Sequence, residues 1–490
     1  MELFFTGRSR LPADGNVSGI SQPELAQLLA RRLVPDGLPV LLDSAMRPVE
    51  PLSSWFRHLA LLGRSPKTMR KYAYVTLRLH EFLAGRGRDL LSATESDLLE
   101  YRLLRTRVQA EPISRVTWEP EATAINRLYD WLVSEQRIPR SPWRQLRGRD
   151  TFRNSIPRDM RIRHMTLEQY LYFRDVGLAG MRPDATVDPS FRGRSPHRSR
   201  AGVELALLTG MRVGEWSTIL LPELGLDPVV NQAIDPKGVV FRLAACAKYE
   251  RPRDVYVPRS AVETVLIYMR MERTHVVAAA QRTLIKRRAD LFVVDVQQQG
   301  RGKLRGVLDG VTVTHTIADM PMLLRRITVV DTGVGLEPLA VFVGAGGQMP
   351  QPSTWDKVRW RAWDRMRTHA GHPDAAVLPS NPWLYHDLRH TFALRLLMFL
   401  MHKAVEGVVG SELPMATLID HVAANPLLEV QRRMGHSNPS TTYVYLRYLK
   451  DPMQDVDAAF AEWTDHDASY SEIARHVMRL PGGESHATQR

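Results

Sequence analysis

The sequence predicts a mainly α-helical protein with a small β-sheet. Helix start and stop signals are dense from about residue 51, where Ser65-Pro66 opens a helical pattern that Gly85 closes. Two β-rich runs, 239–245 and 255–257, flank a turn-forming segment and predict a hairpin. The chain of 490 residues, 44% hydrophobic and 24% charged, is long enough for two or more domains with apolar cores.

Taken in order, the chain divides into segments of different character. Residues 1–50 carry Pro, Gly and Asp around one short helical pattern at 23–33, and we interpret them as an N-terminal extension or arm. The block at 51–150 has the signals of a small all-helical domain. A basic, irregular linker at 151–164 follows, and Thr166 is predicted to cap the first helix of the next domain.

The charge balance favours a polyanionic partner. Lys and Arg number 66 against 53 Asp and Glu, which gives a formal charge of +13 and an isoelectric point near 9.9. Nucleic acid fits this balance, and an anionic membrane surface is the competing hypothesis. The apolar run at 396–401 stops at His402, well short of the roughly 18 residues that a membrane span needs.

The N-terminus and the cysteine content limit the compartment and the kinds of site. The first residues lack a basic leader followed by a long apolar core, so no signal peptide is predicted and a cytoplasmic protein is expected. A single cysteine, Cys246, excludes an internal disulfide framework and a multi-cysteine zinc site.

A stretch near the C-terminus carries the strongest chemical signal. Between Met434 and Leu449 the sequence is M-G-H-S-N-P-S-T-T-Y-V-Y-L-R-Y-L, which offers a histidine, a helix start and three tyrosines. At about 100° per residue, Tyr443 and Tyr445 point to nearly opposite sides of a helix, whereas Tyr445 and Tyr448 share a face. Tyrosines at this spacing are either half-buried packing residues or, for one of them, a nucleophile.

Two further motifs place charged and titratable residues on helical faces. T-G-M-R-V-G-E sets Arg212 and Glu215 three apart, a spacing that usually marks a surface ion pair. H-D-L-R-H sets His386, Arg389 and His390 on one face of a helix. The two histidines have the spacing of zinc ligands, but the glutamate of the H-E-x-x-H motif is absent.

Together these motifs resemble those of the tyrosine recombinases, also called phage-type integrases. G-H-S-N-P-S-T-T-Y-V-Y is similar to the family's C-terminal signature, in which the nucleophilic tyrosine follows the histidine by nine residues. That spacing, counted from His436, selects Tyr445. Met434 stands where the family usually has leucine, a change that conserves volume.

The resemblance also assigns roles to the two helical motifs. T-G-M-R-V-G-E is similar to the family's Thr-Gly-Leu-Arg-x-x-Glu, which implies that Arg212 is a catalytic arginine and Glu215 its orienting partner. H-D-L-R-H is similar to the family's His-x-x-Arg-His box. This similarity implies that His386 and Arg389 are catalytic and that His390 supports them.

The predicted hairpin supplies one more candidate. Lys248 lies where the first strand meets the turn, and it matches the hairpin lysine that tyrosine recombinases use as a general acid. A hairpin lysine is ordinarily a solvated residue that protects a sheet edge, and the turn is longer here than in compact members of the family. The catalytic set implied by the resemblance is Arg212, Lys248, His386, Arg389, His436 and Tyr445.

These residue types suit the cleavage of a DNA phosphodiester. Two guanidiniums can clamp the charge that builds on the non-bridging oxygens, and His436 would donate to one of them. The tyrosine must lose a proton whose ordinary pKa is near 10, and His386 is the candidate acceptor. Lys248 would protonate the leaving deoxyribose oxygen. The resemblance implies a 3′-phosphotyrosyl intermediate that conserves the bond energy, so neither ATP nor metal is required.

The resemblance covers roughly residues 51–450 and implies the roles of the domains. The block at 51–150 would be a core-binding domain, in which S-P-K-T-M-R-K-Y grips the duplex. Residues 165–452 would be a mixed α/β catalytic domain with insertions near 271–350 and 405–425. Scattered basic residues on helices are otherwise usually a solvated face. The predicted DNA contacts are Lys67, Arg70, Lys71 and Arg78.

The resemblance implies partners as well. Tyrosine recombinases assemble as a homotetramer on two DNA duplexes, with a C-terminal segment docked on a neighbouring protomer. The helical patterns within 453–490 would supply that segment or pack on their own domain. Duplex recombination sites, accessory DNA-bending proteins and the integration, excision or transposition of a mobile element follow from the same resemblance, and no membrane partner is expected.

Three other functions stay open on the sequence. A type I topoisomerase with the same chemistry would nick and reseal one duplex without exchanging strands. A catalytically passive DNA-binding protein would bind in a salt-sensitive way without a covalent adduct. A zinc hydrolase built on His386 and His390 would contain metal.

Overall fold

The computed structural model describes residues 1–7, 37–142, 162–226, 238–247, 251–295, 302–409, 425–436 and 439–445. The chain divides into two compact units, Met1–Asp159 and Met160–Arg490. Both units are mainly helical and carry small sheets, which confirms the predicted fold class. In the part of the chain that is described, no helix combines the length and the apolar character needed to cross a membrane.

The first unit is a helical domain with one short pair of strands. Its strands β1 and β2 are antiparallel, and α3 continues as a π-helical stretch over Leu104–Val108. Its elements are β1 Glu2–Phe5, β2 Pro39–Leu42, α1 Leu52–Leu61, α2 Pro66–Ala84, α3 Glu95–Leu103 and α4 Arg115–Ser134.

Local signals explain where these helices begin. The hydroxyl of Ser65 accepts a hydrogen bond from the Thr68 backbone N–H, and Pro66 occupies the first helical position of α2. Thr94 caps α3 in a capping box with Asp97, whose carboxylate accepts from the Thr94 N–H at 2.9 Å. The helix start that the sequence predicts at Ser65-Pro66 is therefore present.

The core of the first unit is built by aromatic and aliphatic side chains from all four helices. Trp55 and Tyr72 stack with ring centroids 5.9 Å apart, and Trp118 is fully buried. Leu41 of β2 belongs to the same core, so the described ends of the segment 1–50 pack on the helical domain. The helical pattern predicted at 23–33 lies outside the described residues.

The second unit is larger and carries all three chemical motifs. Helices α5 and α8 continue as π-helical stretches over Tyr172–Leu178 and Met269–Arg273. Its helices are α5 Leu167–Leu171, α6 Pro196–Thr209, α7 Val213–Trp216, α8 Arg259–Tyr268, α9 Thr274–Lys286, α10 Met322–Arg326, α11 Pro352–Thr368, α12 Tyr385–Val409, α13 Pro426–Met434 and α14 Pro439–Tyr443. Its strands are β3 Val239–Leu243, β4 Arg253–Val257, β5 Phe292–Asp295, β6 Lys303–Leu308, β7 Val311–Thr316, β8 Thr328–Asp331 and β9 Leu336–Pro338.

The hairpin predicted around Lys248 is present. Strands β3 and β4 pair antiparallel, with Val239 opposite Val257 and Leu243 opposite Arg253. The turn residues 248–250, including Lys248, lie outside the described part of the chain. The hairpin is therefore confirmed as an element, and the role of Lys248 stays a prediction.

A five-stranded sheet occupies much of the segment 271–350. Its strand order is β7-β6-β5-β8-β9, in which β5 and β8 are parallel and the other pairs are antiparallel. Backbone hydrogen bonds tie this sheet region to its neighbours: Leu221 donates to Leu339 at 2.8 Å, and Ala245 donates to Ala318 at 2.9 Å. The segment therefore packs against the chain that follows Glu215 and against the end of the hairpin.

A buried ion pair reinforces this junction. Both guanidinium Nη atoms of Arg325 donate to the carboxylate of Glu223, at 2.6 and 2.9 Å. The same side chain also donates to the carbonyls of Thr218, Ile317 and Met320. Arg325 is 1% exposed, so every one of these bonds is made away from water.

Replacing Arg325 with Met should therefore destabilise the second unit by about 3–5 kcal/mol, because Glu223 would keep a buried charge without its partner. Urea unfolding measures this loss. Arg288→Met is the matched control, since Arg288 forms an ion pair with Asp331 in which the side chains are 52% and 36% exposed. The control should change stability by no more than about 1 kcal/mol, and equal losses in the two variants would contradict the role given to burial.

Candidate active site

Helix α12 brings the H-D-L-R-H motif into the centre of the second unit. Its start is fixed by Asp387, whose carboxylate accepts from the Leu384 N–H at 2.9 Å and from the Arg163 guanidinium at 2.5 Å. Arg163 also donates to the carbonyl of Pro382 at 2.7 Å. Arg163, which the sequence analysis assigns to the basic linker at 151–164, is bound to the start of α12.

Arg389 contacts the backbone beside both of the other motifs. It is 1% exposed, and its guanidinium donates to the carbonyl of Gly210 at 2.5 Å and to the carbonyl of Met434. Gly210 lies two residues before Arg212, and Met434 lies two residues before His436. A single side chain therefore joins the three motifs that the sequence singles out.

Gly210 has a positional reason to be glycine. Its backbone is left-handed, with φ of 62°, and it ends α6. A Cβ at this position would lie 2.3 Å from the Phe392 ring. The absence of a side chain lets the chain turn from α6 toward Arg212 while its carbonyl faces Arg389.

Two arginines share the carboxylate of Glu215. Arg212 caps α7, donating to Glu215 from its backbone N–H at 2.8 Å and from its guanidinium at 2.9 Å. Arg253, the first residue of β4, donates to the same carboxylate at 2.6 and 3.3 Å. Although burial raises the pKa of Glu215, the hydrogen bonds and charges of Arg253 and Arg212 outweigh burial and lower it to about 2. The carboxylate thus holds two guanidiniums in fixed orientations.

Sequence reasoning missed Arg253. It is the last residue of K-Y-E-R-P-R, the segment that the sequence predicts as the turn between two strands. Side chains along β4 alternate between buried and exposed, and the buried ones are Arg253, Val255 and Val257. The sequence contains a signal for this: Arg253 is spaced by two residues from the valines that face inward. A charged residue on the buried face of a strand indicates a buried ion pair.

The ion network predicts a pH-dependent stability. Because the pKa of Glu215 lies below its ordinary value of 4.5, its contribution is present above about pH 4.5 and is lost as the pH falls through about 2. Glu215→Gln should be less stable than wild type by about 3 kcal/mol at pH 7, and the difference should shrink between pH 5 and pH 2. Thermal unfolding at several pH values measures both effects.

Glu263→Gln is the matched control for this experiment. Glu263 pairs with Arg259 at 3.0 Å, but the two side chains are 45% and 48% exposed. This exposed pair should contribute no more than about 0.5 kcal/mol. A Glu215→Gln difference that stays constant from pH 7 to pH 2 would contradict the assignment of a depressed pKa to Glu215.

His436 follows α13 and faces the tyrosine. Its Nδ1 lies 2.9 Å from the Thr442 hydroxyl, and its ring is parallel to that of Tyr445, with centroids 6.2 Å apart. Burial, together with the guanidiniums of Arg389 and Arg212, lowers the pKa of His436 to about 3. The imidazole is therefore neutral at physiological pH in the absence of an anion.

Tyr445 lies on a short turn after α14 and is fully buried. It packs in a cluster with Leu397, Val430 and Met434, whereas Tyr443 is 53% exposed. The two tyrosines therefore differ in burial, as the helical spacing indicates. Burial raises the pKa of Tyr445 to about 12, and the guanidiniums of Arg389 and Arg212 oppose the rise. Tyr448 lies outside the described residues.

The hydroxyl of Tyr445 contacts the second histidine of the motif. His390 Nδ1 lies 2.8 Å from Tyr445 Oη, and both side chains are buried. His386 is exposed, and its ring meets the His390 ring edge-on with centroids 4.5 Å apart. His386 is the proton acceptor predicted from the sequence, and the histidine in hydrogen-bond contact with the Tyr445 hydroxyl is His390.

The structure brings most of the predicted site residues together. Contacts centred on Arg389 and Tyr445 join the three motifs in one site, and Glu215 orients the first arginine. Lys248 is the predicted residue outside the described chain, two positions after Cys246. The residues gathered at the site are Arg212, Glu215, Arg253, His386, Arg389, His390, His436 and Tyr445.

A basic cleft opens beside this site. It has a volume of about 680 Å³ and lies between the β3–β4 hairpin and the end of α13. The acidic side chain of Asp254 also lines the cleft, and it forms an ion pair with Arg242 at 3.0 Å. His436 lies at this cleft, and the basic side chains that line it are Arg242, Arg251, Arg253, Arg432 and Arg433. This charge and shape fit a polyanion.

The four residues predicted to contact DNA lie on α2 of the first unit. Lys67, Arg70 and Lys71 are exposed, although the Arg70 guanidinium also covers the Phe5 ring at 4.4 Å. Arg78 is partly buried and donates to the carboxylate of Glu121 at 3.0 Å. Lys67 and Lys71 are therefore the more accessible candidates.

The described residues contain no group of three or more His, Cys, Asp or Glu side chains arranged to hold a metal ion.

Comparisons with known proteins bear on the helical domain first. Residues 52–136 match the family model described as the phage integrase N-terminal SAM-like domain. This match confirms the resemblance to phage-type integrases for the first unit's helical block. No curated protein matches the sequence.

Three solved structures are similar to the chain at low sequence identity. The XerH site-specific recombinase in a post-cleavage complex with palindromic difH is 16% identical, with a TM-score of 0.45 and 93% of each chain covered. The Tn1549 transposon integrase in complex with circular intermediate DNA is 15% identical, with a TM-score of 0.36, covering 88% of this chain and 98% of that one. The XerA recombinase is 14% identical, with a TM-score of 0.27, covering 86% and 99%.

Proposed function

We propose that the protein is a tyrosine recombinase that cleaves and rejoins DNA strands at specific sites through a 3′-phosphotyrosyl intermediate. One observation carries this proposal: Arg212, Arg389 and His436 are gathered around the buried side chain of Tyr445. The match of residues 52–136 to the phage integrase N-terminal SAM-like domain supports it.

The two arginines stabilise the charge that develops on the phosphate. Each guanidinium has five N–H donors, and Arg389 uses two of its nitrogen atoms to bind the carbonyls of Gly210 and Met434. These two bonds leave other N–H groups of Arg389 for a phosphate, and a charge-assisted hydrogen bond is strong in a buried environment of low dielectric. Glu215 holds Arg212 for the same task.

Cleavage then exchanges one phosphate ester for another. Tyr445 Oη forms a bond to phosphorus as the bond to the 5′-oxygen breaks, and Lys248 gives that leaving oxygen its proton. His436 donates to a non-bridging oxygen. Attack by the 5′-hydroxyl of a partner strand reverses these bond changes on a new strand, so no external energy source is consumed.

Tyr445 must become accessible to the phosphate for this attack to occur. Its side chain is 0% exposed, whereas in-line attack requires the phosphorus to approach within about 3–3.5 Å of the hydroxyl. We infer that DNA binding moves the apolar side chains around Tyr445 enough to admit the phosphate, while the hydroxyl keeps its contact with His390. The basic cleft beside His436 is the route along which the backbone would reach the site.

The proposed partners follow from this chemistry. Duplex DNA carrying recombination sites is the substrate, and exchange between two duplexes requires four protomers in a homotetramer. Lys67 and Lys71 on α2 would contact phosphates from the first unit. Integration, excision or transposition of a mobile element, with the help of accessory DNA-bending proteins, is the biological role that we propose, and it places the protein in the cytoplasm with the DNA.

A strand-exchange assay tests the proposal against its alternatives. Purified protein is mixed with two labelled duplexes of different length, made from DNA that flanks its own gene. A recombinase produces joined strands of a new length. Relaxation of a supercoiled plasmid without joined products would favour a topoisomerase, and salt-sensitive binding without any covalent product would favour a passive DNA-binding protein.

A further inference from the structure

The hydrogen bond between His390 and Tyr445 has no role in the chemistry described above. It joins Nδ1 of His390 to Tyr445 Oη at 2.8 Å, within the range of a general base and the group that it deprotonates. We propose that His390 accepts the proton of Tyr445 when the hydroxyl attacks the DNA phosphate, the role for which His386 is the candidate from the sequence. This inference rests on the proposed function.

The position of His390 on α12 supports the assignment. His386 and His390 are one helical turn apart, so they share a face, but His390 lies one turn farther into the domain. There its neighbours Ala393, Leu394 and Leu397 join the cluster that buries Tyr445. His390 thus lies on the part of α12 that also packs around Tyr445.

The proton balance is simple. As the bond between Tyr445 Oη and phosphorus forms, the O–H bond breaks and its proton moves to Nδ1 of His390, which becomes an imidazolium. The bond from phosphorus to the 5′-oxygen breaks, and the general acid protonates that oxygen. On rejoining, the imidazolium returns its proton to Tyr445 Oη as the phosphotyrosyl bond breaks, in accordance with microscopic reversibility.

Burial and the surrounding cationic groups keep His390 unprotonated, and they also make it a weaker base than a free imidazole. Besides burial, the neighbours that face it are His386 and Arg389 on α12, His436 after α13 and His164 before α5, and together they lower its pKa to about 3. His390 is therefore neutral before DNA binds. The scissile phosphate brings negative charge beside the ring, which stabilises the imidazolium at the moment of transfer.

The test is the pH dependence of single-turnover cleavage of a nicked duplex between pH 6 and pH 10. His390→Asn leaves an amide close to the former Nδ1, so it can keep a hydrogen bond to Tyr445 but cannot accept a proton. At pH 7 we expect His390→Asn to cleave about 10²–10³-fold more slowly than wild type. Its rate should then rise about tenfold per pH unit, because hydroxide must remove the proton of a tyrosine whose pKa is near 12.

His386→Asn is the matched control, and it should lack this rise with pH. Circular dichroism and DNA binding of each variant report whether the fold is kept. A His390→Asn rate that is reduced but independent of pH would overturn the inference, because it would indicate a purely structural role. A rate that rises with pH in His386→Asn instead would overturn it in favour of His386. Absence of any adduct in the wild type would contradict the proposed function itself.

Discussion

Replacing Tyr445 with Phe is expected to abolish the covalent protein–DNA adduct. The cleavage rate should fall by about 10⁴-fold or more, as it does when an enzyme loses its nucleophile. The substitution removes one oxygen atom from a fully buried ring and leaves the packing against Val430 and Met434 unchanged. It also removes the hydrogen bond to His390, which should cost only about 1 kcal/mol. The variant should therefore fold and bind DNA.

The measurement uses nicked duplexes made from DNA that flanks the protein's own gene, followed by electrophoresis in SDS. Tyr443→Phe is the matched control, since Tyr443 lies two residues away and is 53% exposed. The control should form as much adduct as wild type. An adduct that persists in Tyr445→Phe would make Tyr448 the nucleophile and would show that the spacing from His436 is misassigned.

Replacing Arg389 with Lys is expected to slow cleavage by about 10²–10³-fold while DNA binding is largely kept. A lysine is also a cation, but its single ammonium cannot reproduce the planar fork that donates to Gly210 and Met434 and that would also bind the phosphate in the proposed reaction. Burial, with the charges of Arg212 and Arg253, lowers the pKa of Arg389 to about 9, so the wild-type guanidinium remains charged at pH 7. The same surroundings would also lower the pKa of a lysine, so the loss should reflect both the missing fork and a weakened charge.

Single-turnover cleavage and filter binding measure the two properties separately. Arg287→Lys is the control, because Arg287 is 43% exposed in an ion pair with Asp290 and lies in the segment that follows α9. It should change neither property by more than about twofold, in keeping with the small contribution of an exposed pair. Equal cleavage rates in Arg389→Lys and wild type would remove Arg389 from the catalytic set.

The candidate site was largely predictable because its motifs are local. The spacing between His436 and Tyr445, and the capping of α7 by Arg212 with Glu215 three residues later, are set by the chain within ten residues. The helix starts at Ser65, Thr94 and Thr166 depend on side chains that bond within the first turn, and each is present. Local hydrogen bonds leave a signature in the sequence itself.

Contacts between distant segments were not predictable in this way. Arg253 reaches Glu215 across 38 positions, and His390 reaches Tyr445 across 55. Which of the two histidines on one helical face meets the hydroxyl depends on how α12 packs against α13 and α14, a geometry that periodicity does not specify. The same is true of the five-stranded sheet, whose parallel β5–β8 pair forms across the chain between them.

By itself, the sequence determined the mainly helical class, the elements that carry each motif and the residue types available for phosphoryl transfer. Only the tertiary structure decided that Arg389 binds the carbonyls before Arg212 and His436, that Arg253 shares Glu215, and that His390 contacts Tyr445. The physical reason is that a buried donor or charge must be satisfied by whatever group packing brings within reach, and for these side chains that group lies far along the chain.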